Sequence, residues 1–268
     1  MKFVKNIPNY ISLGNLFLGI CACIVALDNP GQEVLQKING EVDVLPVMGD
    51  LNRLIMASFL ILMAAILDFF DGFVARLLNA QSEMGKHLDS LSDIVSFGIA
   101  PSFILYELLH FSYASRAISL KSPSWELYTA FFFALCAAWR LAKFSAEGSS
   151  LPYFKGLPTP AASMFVIGIP MLAAYSSEIH QLIFNNTYIL FIIIFGLGFL
   201  MNASFPFIAF KSMNLNLKEH KLKLVLIILA LGILVYLQFA GLSLVILIYI
   251  ISSILFYKPE TQKHEIQS

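Results

Sequence analysis

The stretch "LDFFDGFVARLLNAQSEMGKHLDSLSD", residues 67–93, carries four aspartates, Asp68, Asp71, Asp89 and Asp93, next to two long apolar runs. The chain around it has 268 residues, of which 58% are hydrophobic and only 13% charged. Its mean hydropathy is +0.78. A soluble domain has about a quarter of its residues charged. A charged side chain at the centre of a membrane helix costs ~3 kcal/mol, so four acids in such surroundings need a physical reason.

Working outward, apolar segments fall at about 8–27, 54–77, 87–110, 126–146, 160–177, 186–204, 221–238 and 240–257. Runs of this length are what a helix needs to cross a bilayer. They do not alternate apolar and polar residues as barrel strands do. The expected fold is an all-α integral membrane protein of about eight transmembrane helices, the last two joined in a tight hairpin. Lys2 and Lys5 precede the first run as in a signal peptide. That run is long and no small-residue cleavage site follows, so it reads as a retained span.

Lys and Arg positions set the orientation. With the N-terminus inside, the inner segments hold 13 of the 17 basic residues and the outer segments 4, namely Lys37, Arg53, Arg116 and Lys121. Both termini and the four aspartates then face the cytoplasm, in the inner membrane. The outer connection 28–52 reads as a solvated acidic loop, and 259–268 as a polar tail. Net charge is zero, which gives no argument for nucleic acid. Cys21, Cys23 and Cys136 lie in apolar runs and have neither disulfide nor metal spacing.

Helical spacing phases the aspartates. Asp68 and Asp71 share a face, which Gly72, Ala75 and Arg76 continue. Gly85, Asp89 and Asp93 are spaced by four and form one stripe on the next helix. Two carboxylates about 5 Å apart repel by roughly 3 kcal/mol at an effective dielectric of 20. Arg76 alone does not neutralise four of them, whereas divalent cations with a taste for hard oxygen ligands, Mg²⁺ or Mn²⁺, do. Two carboxylate-held metals are a recurring apparatus for displacement at phosphorus. Small residues on the same face admit a phosphate ligand, and Arg76 matches phosphate in a fork geometry. Taken singly, each feature has a plain structural explanation: a solvated acidic turn, helix packing at Gly72 and Ala75, an interface anchor at Arg76. Their joint phasing does not.

Written out, the stretch is D68-x2-D71-G72-x2-A75-R76-x8-G85-x3-D89-x3-D93. It resembles the full signature of the CDP-alcohol phosphatidyltransferase family. The resemblance implies transfer of a phosphatidyl group from a CDP-linked lipid to an alcohol, with loss of CMP. It implies that Asp68, Asp71 and Asp89 hold a metal pair, with Asp93 touching one ion and acting as general base. It also implies that Gly72, Ala75, Arg76 and Gly85 line the CDP site, and that the protein is a homodimer. Asn9, Ser12 and Asn15, polar positions on the first span, are candidates to approach the nucleotide.

"PNYISLGNLFLG" (8–19), "DIVSFGIAPS" (93–102) and "YFKGLPTPAA" (153–162) are similar to the branch of the family that uses serine as acceptor. With the core motif, the likeness covers roughly residues 1–210, expected to be a six-helix catalytic domain. Residues 211–258 form an additional two-helix hairpin outside it. Serine carries a carboxylate that needs a cation, and Arg140, Lys143 and Lys155 stand at the inner ends of spans 4 and 5. Ser96 is a further acceptor-side candidate, three residues past Asp93, and its hydroxyl has the alternative of bonding its own backbone. Gly156, Pro158 and Pro160 also break helix and set the entry into span 5. The same chemistry on glycerol 3-phosphate or inositol is an alternative. An intramembrane prenyltransferase would carry its two Asp motifs far apart, and an ion-coupled transporter would carry acids along several spans.

Overall fold

A computed structural model describes residues 6–28, 34–38, 41–45, 49–80, 82–114, 125–147, 153–184, 186–208 and 217–256. Helix α1 is Ile7–Leu27, with Pro8 in its first turn, where proline's missing N–H costs nothing. Strands β1 (Val34–Ile38) and β2 (Glu41–Leu45) pair antiparallel, Ile38 opposite Glu41. Helix α2 is Gly49–Leu77. Helix α3, Glu83–Asp93, runs through a π-helical turn, Ile94–Ile99, into α4, Ala100–Ala114. A short α5, Trp125–Tyr128, and a 3₁₀ turn lead into α6, Phe132–Glu147. Strand β3 is Phe154–Lys155; α7 is Thr159–Tyr175, α8 Ser177–Phe184 and α9 Thr187–Asn202. Strand β4, Pro206–Phe207, pairs with β3. Helix α10, Leu217–Leu237, a 3₁₀ turn and α11, Leu242–Phe256, complete the described chain.

Helices Ile7–Leu27, Leu51–Leu77, Glu83–Tyr113 and Trp125–Ala146 and the two-helix segment Lys223–Phe256 are long and apolar enough to cross a membrane. The pair α8–α9 passes the same test across a sharp bend, and α7 is a shorter apolar helix. The protein is thus an all-α, multi-pass membrane protein with two small two-stranded sheets. The eight sequence segments each coincide with a helix. Two details differ. Residues 177–184 form a helix of their own, and the 28–52 connection holds a hairpin rather than open loop. Asn39-Gly40, between the strands, is the dipeptide that two-residue hairpin turns favour.

Helix α1 packs along the length of α2 and also against α3, the π turn and α4. Gly19 makes the contact with the π turn possible: a Cβ there would lie 2.4 Å from Ser96 Oγ. At the end of the bundle away from the aspartates, Arg53 on α2 donates to Glu107 Oε2 on α4 at 2.6 Å and to the Ala26 carbonyl of α1 at 3.0 Å. This pair is nearly buried, so loss of either partner would strand a charge. The closing helices are fastened to the rest. Ser243 Oγ donates to Phe165 O at 2.6 Å, and Gly168 leaves room for α11 at that crossing. Gly156 has φ +75°, and a Cβ would meet Met201 O at 2.3 Å. Its N–H donates to Phe205 O, and that of Leu157 to Leu200 O, both at 2.9 Å. Glycine is required there on both counts.

Candidate metal and nucleotide site

The turn between α2 and α3 brings the two aspartate stripes together. Asn79 is left-handed, with φ 49°. Its N–H donates to Arg76 O, and the Ala80 N–H to Ala75 O. These two bonds are a Schellman cap with asparagine in the glycine position. Ser82 then caps α3, its Oγ accepting from Gly85 N at 3.0 Å. Asn79 and Ala80 thus end one helix and Ser82 starts the next.

Across this hairpin, carboxylate oxygens of Asp68, Asp71 and Asp89 all lie within 4.8 Å of one another. Oxygens bound to one cation at 2.0–2.6 Å stand up to about 4–5 Å apart, so the spacing fits a shared divalent ion. Asp93, one turn beyond Asp89, touches Asp68 and faces all three of the others. Its Oδ1 is buried and has no hydrogen-bond partner. Among the described residues no Lys, Arg or His forms an ion pair with any of the four. A set of acids without an ion pair, one oxygen of it buried and unsatisfied, is a donor set that a hard cation would complete.

Helix α1 forms the third wall. Ser12 Oγ donates to Asp71 Oδ2 at 2.6 Å while also contacting Pro8 O at 3.1 Å. Asn9 Oδ1 would lie 3.0 Å from a Cβ at Gly85, so the glycine is what lets α1 come this close. Asn15 is completely buried, with neither amide atom bonded. Gly72 is exposed, and a Cβ there would meet nothing within 4 Å. The face beside Asp71 is therefore open. Ala75 is half-buried on the same helix. Arg76 is exposed and its Nε folds back to Gly72 O at 2.9 Å; its terminal nitrogens have no hydrogen-bond partner among the described residues.

The acceptor-side candidates divide. Arg140 Nη1 donates to Thr159 Oγ1 at 3.0 Å, its Nε is buried and unbonded, and it lies in electrostatic reach of Asp93 and Tyr249. Lys143 and Lys155 are exposed. Ser96 is fully buried and donates to the Asn15 carbonyl at 3.1 Å, toward α1 and away from the acids. Two residues beside Arg140 escaped the sequence reading. Thr159 was hidden in a motif read as a helix break, and Tyr249, whose hydroxyl donates to Ile208 O at 3.0 Å, in an apolar run.

A membrane bundle with a cluster of carboxylates that could hold a metal, bordered by an open face, defines a class. The sequence model of the CDP-alcohol phosphatidyltransferase family matches residues 5–200, and the chain belongs to that family. Among curated relatives, the CDP-diacylglycerol–serine O-phosphatidyltransferase of Bacillus subtilis (strain 168) is 40% identical over 111 residues, 41% of this chain and 58% of the relative. The Helicobacter pylori (strain 26695) enzyme of the same name is 33% identical over 168 residues, 62% of this chain and 66% of the relative. The Methanocaldococcus jannaschii one is 36% identical over 136 residues, 50% and 61%. The chain thus matches about three-fifths of the length of these relatives.

Proposed function

We propose that this protein transfers the phosphatidyl group of CDP-diacylglycerol to the hydroxyl of L-serine, giving phosphatidylserine and CMP. The observation that carries the reading is the convergence of four unpaired carboxylates from α2 and α3 on one open face, in a chain of this family. The names of the relatives support the two substrates. We assign residues 1–210 as the catalytic domain, 211–258 as an added hairpin and 259–268 as a tail. By the distribution of Lys and Arg, we place the acids and both termini on the cytoplasmic side of the inner membrane. We expect a homodimer, on family resemblance.

Asp68, Asp71, Asp89 and Asp93 would hold two divalent cations, Mg²⁺ or Mn²⁺. When bound, these neutralise charge on the phosphoryl oxygens and on the departing CMP. The open face at Gly72, with Ala75 and Gly85, admits the diphosphate close to the backbone, and the terminal nitrogens of Arg76 suit its oxygens. Asn9, Ser12 and Asn15 belong to the wall on the nucleotide side; Ser12 works by holding Asp71. Asp93 takes the proton of the serine hydroxyl, that oxygen bonds to phosphorus, and the bond from phosphorus to the CMP oxygen breaks. Arg140, backed by Thr159, is the cation placed to meet the serine carboxylate. Lys143 and Lys155 add positive charge around it, and Ser96 positions α1 rather than substrate.

The test is CMP release by purified protein from CDP-diacylglycerol with Mn²⁺ or Mg²⁺ and a panel of alcohols. Release that requires serine supports the reading. Release with glycerol 3-phosphate or inositol, and none with serine, would overturn the acceptor. No metal-dependent release with any alcohol would overturn the reaction.

A further inference from the structure

The last two helices lie outside the segment the family model matches, and they build a cavity. It has a volume of about 340 Å³ and is walled by α10, α11 and the entry to α7. Ile227, Ala230 and Ile233 of α10 face Val245 and Ile248 of α11, with Pro158 and Pro160 at its α7 side. The lining is almost wholly apolar. This volume is at the small end for a ligand site, too small for a two-chain lipid with its headgroup.

Its position says what fits. Thr159, between the two lining prolines, is the residue that Arg140 bonds, and Arg140 in turn faces Asp93. Tyr249, another lining residue, stands in reach of Arg140. One end of the groove thus borders the residues that hold Arg140 beside the acids. From there the groove follows α10 past Leu226 to Ile233, about 10 Å at helical rise, along a helix pair long and apolar enough to lie in the bilayer. A molecule with its phosphate among the acids and an apolar tail directed into the membrane has its tail end here.

We infer that the α10–α11 groove holds one acyl chain of the CDP-linked lipid donor, so that the added hairpin is a chain-binding element of the enzyme. This rests on the phosphatidyl-transfer reading above. Burial of each methylene favours binding, so the groove discriminates by chain length.

Ala230→Phe fills the groove and touches no residue of the acid site. The variant and the wild type are assayed for CMP release with CDP-diacylglycerols of long and of six-carbon chains. A rise of about tenfold in KM for the long-chain donor, the loss of about two buried methylenes, with no change for the short-chain donor, is expected. Equal effects on the two donors would overturn the inference. Wild-type turnover of the short-chain donor separately tests the transfer reaction. If Ala230→Phe loses turnover with both donors, photolabelling of the wild-type protein decides without turnover. CDP-diacylglycerol with a diazirine at one chain end should label α10 and α11 residues, and phosphatidylcholine with the same tail should not. Equal labelling by both lipids, or labelling confined to other helices, would show that the groove holds bulk lipid and would overturn the inference.

Discussion

Ser12 Oγ stands 2.6 Å from Asp71 Oδ2, and this bond ties the first helix to the second at the carboxylate cluster. A hydrogen bond to a charged group contributes about 1.5–3 kcal/mol. Ser12→Ala should therefore lower thermal stability measurably and weaken Mn²⁺ affinity, because Asp71 loses its fixed orientation. Ser12→Thr, which keeps the hydroxyl, should recover most of both. Calorimetry with and without Mn²⁺ checks this; Mn²⁺ affinity unchanged in Ser12→Ala would remove Ser12 from the site's support.

Asp93→Asn keeps the shape and removes the proposed base. A positioned general base is worth about 10²–10⁴ in rate, and the proposed function also gives Asp93 a ligand role. CMP release should fall by at least 10²-fold while the folded helical content is unchanged. Full activity in this variant would exclude Asp93 as the base.

The four acids repel one another without metal, so neutralising one should act oppositely in the two states. Asp68→Asn should raise the thermal stability of metal-free protein. It should also reduce the stabilisation that Mn²⁺ gives, which is about 2.7 kcal/mol for a wild-type site at one hundred times its dissociation constant. Thermal shift over a Mn²⁺ titration reads both effects. Equal Mn²⁺ stabilisation of wild type and variant would argue against Asp68 as a ligand.

Two glycines give opposite expectations. At Gly72 a Cβ meets nothing, so Gly72→Ala should fold as well as wild type, with up to about 1 kcal/mol gained from helix propensity, yet bind the nucleotide poorly. At Gly156 a Cβ meets Met201 O at 2.3 Å on a backbone of φ +75°. Gly156→Ala should destabilise the protein by more than 1 kcal/mol. Denaturation curves and CDP titrations separate the two.

Arg140→Ala should raise the KM for serine with a smaller change in the KM for CDP-diacylglycerol, and Arg140→Lys should recover part of it. Equal changes in the two constants would place Arg140 in support of the whole site rather than beside the acceptor.

The aspartate stripes were legible because α-helical spacing holds without interruption from Asp68 to Asp71 and from Gly85 to Asp93. The region just beyond was not. A π turn begins at Ile94, and no side-chain pattern announces the wider i→i+5 register. Ser96 therefore reads as a neighbour of Asp93, whereas its hydroxyl goes to the Asn15 carbonyl. Apolar runs located the helices because bilayer length is a coarse constraint. They gave no hint of which helix packs on which, so Tyr249 next to Arg140 and the groove beside it came only from coordinates. The hairpin at 34–45 was legible in principle through Asn39-Gly40, but its acidic residues drew the reading toward loop.

The capped helix ends at Asn79–Ala80 and Ser82 also bear on how the protein is made. Ser12 and all four acids lie before residue 94 of 268. Chains fold as they emerge, N-terminal parts first. The hairpin and its first-helix strut can thus assemble in the membrane while the helices beyond α4 are still being synthesised. On the proposed function, ligand capacity and substrate selectivity then arise at different moments of biogenesis, and a ribosome-stalled fragment ending soon after α4 already contains every proposed metal ligand.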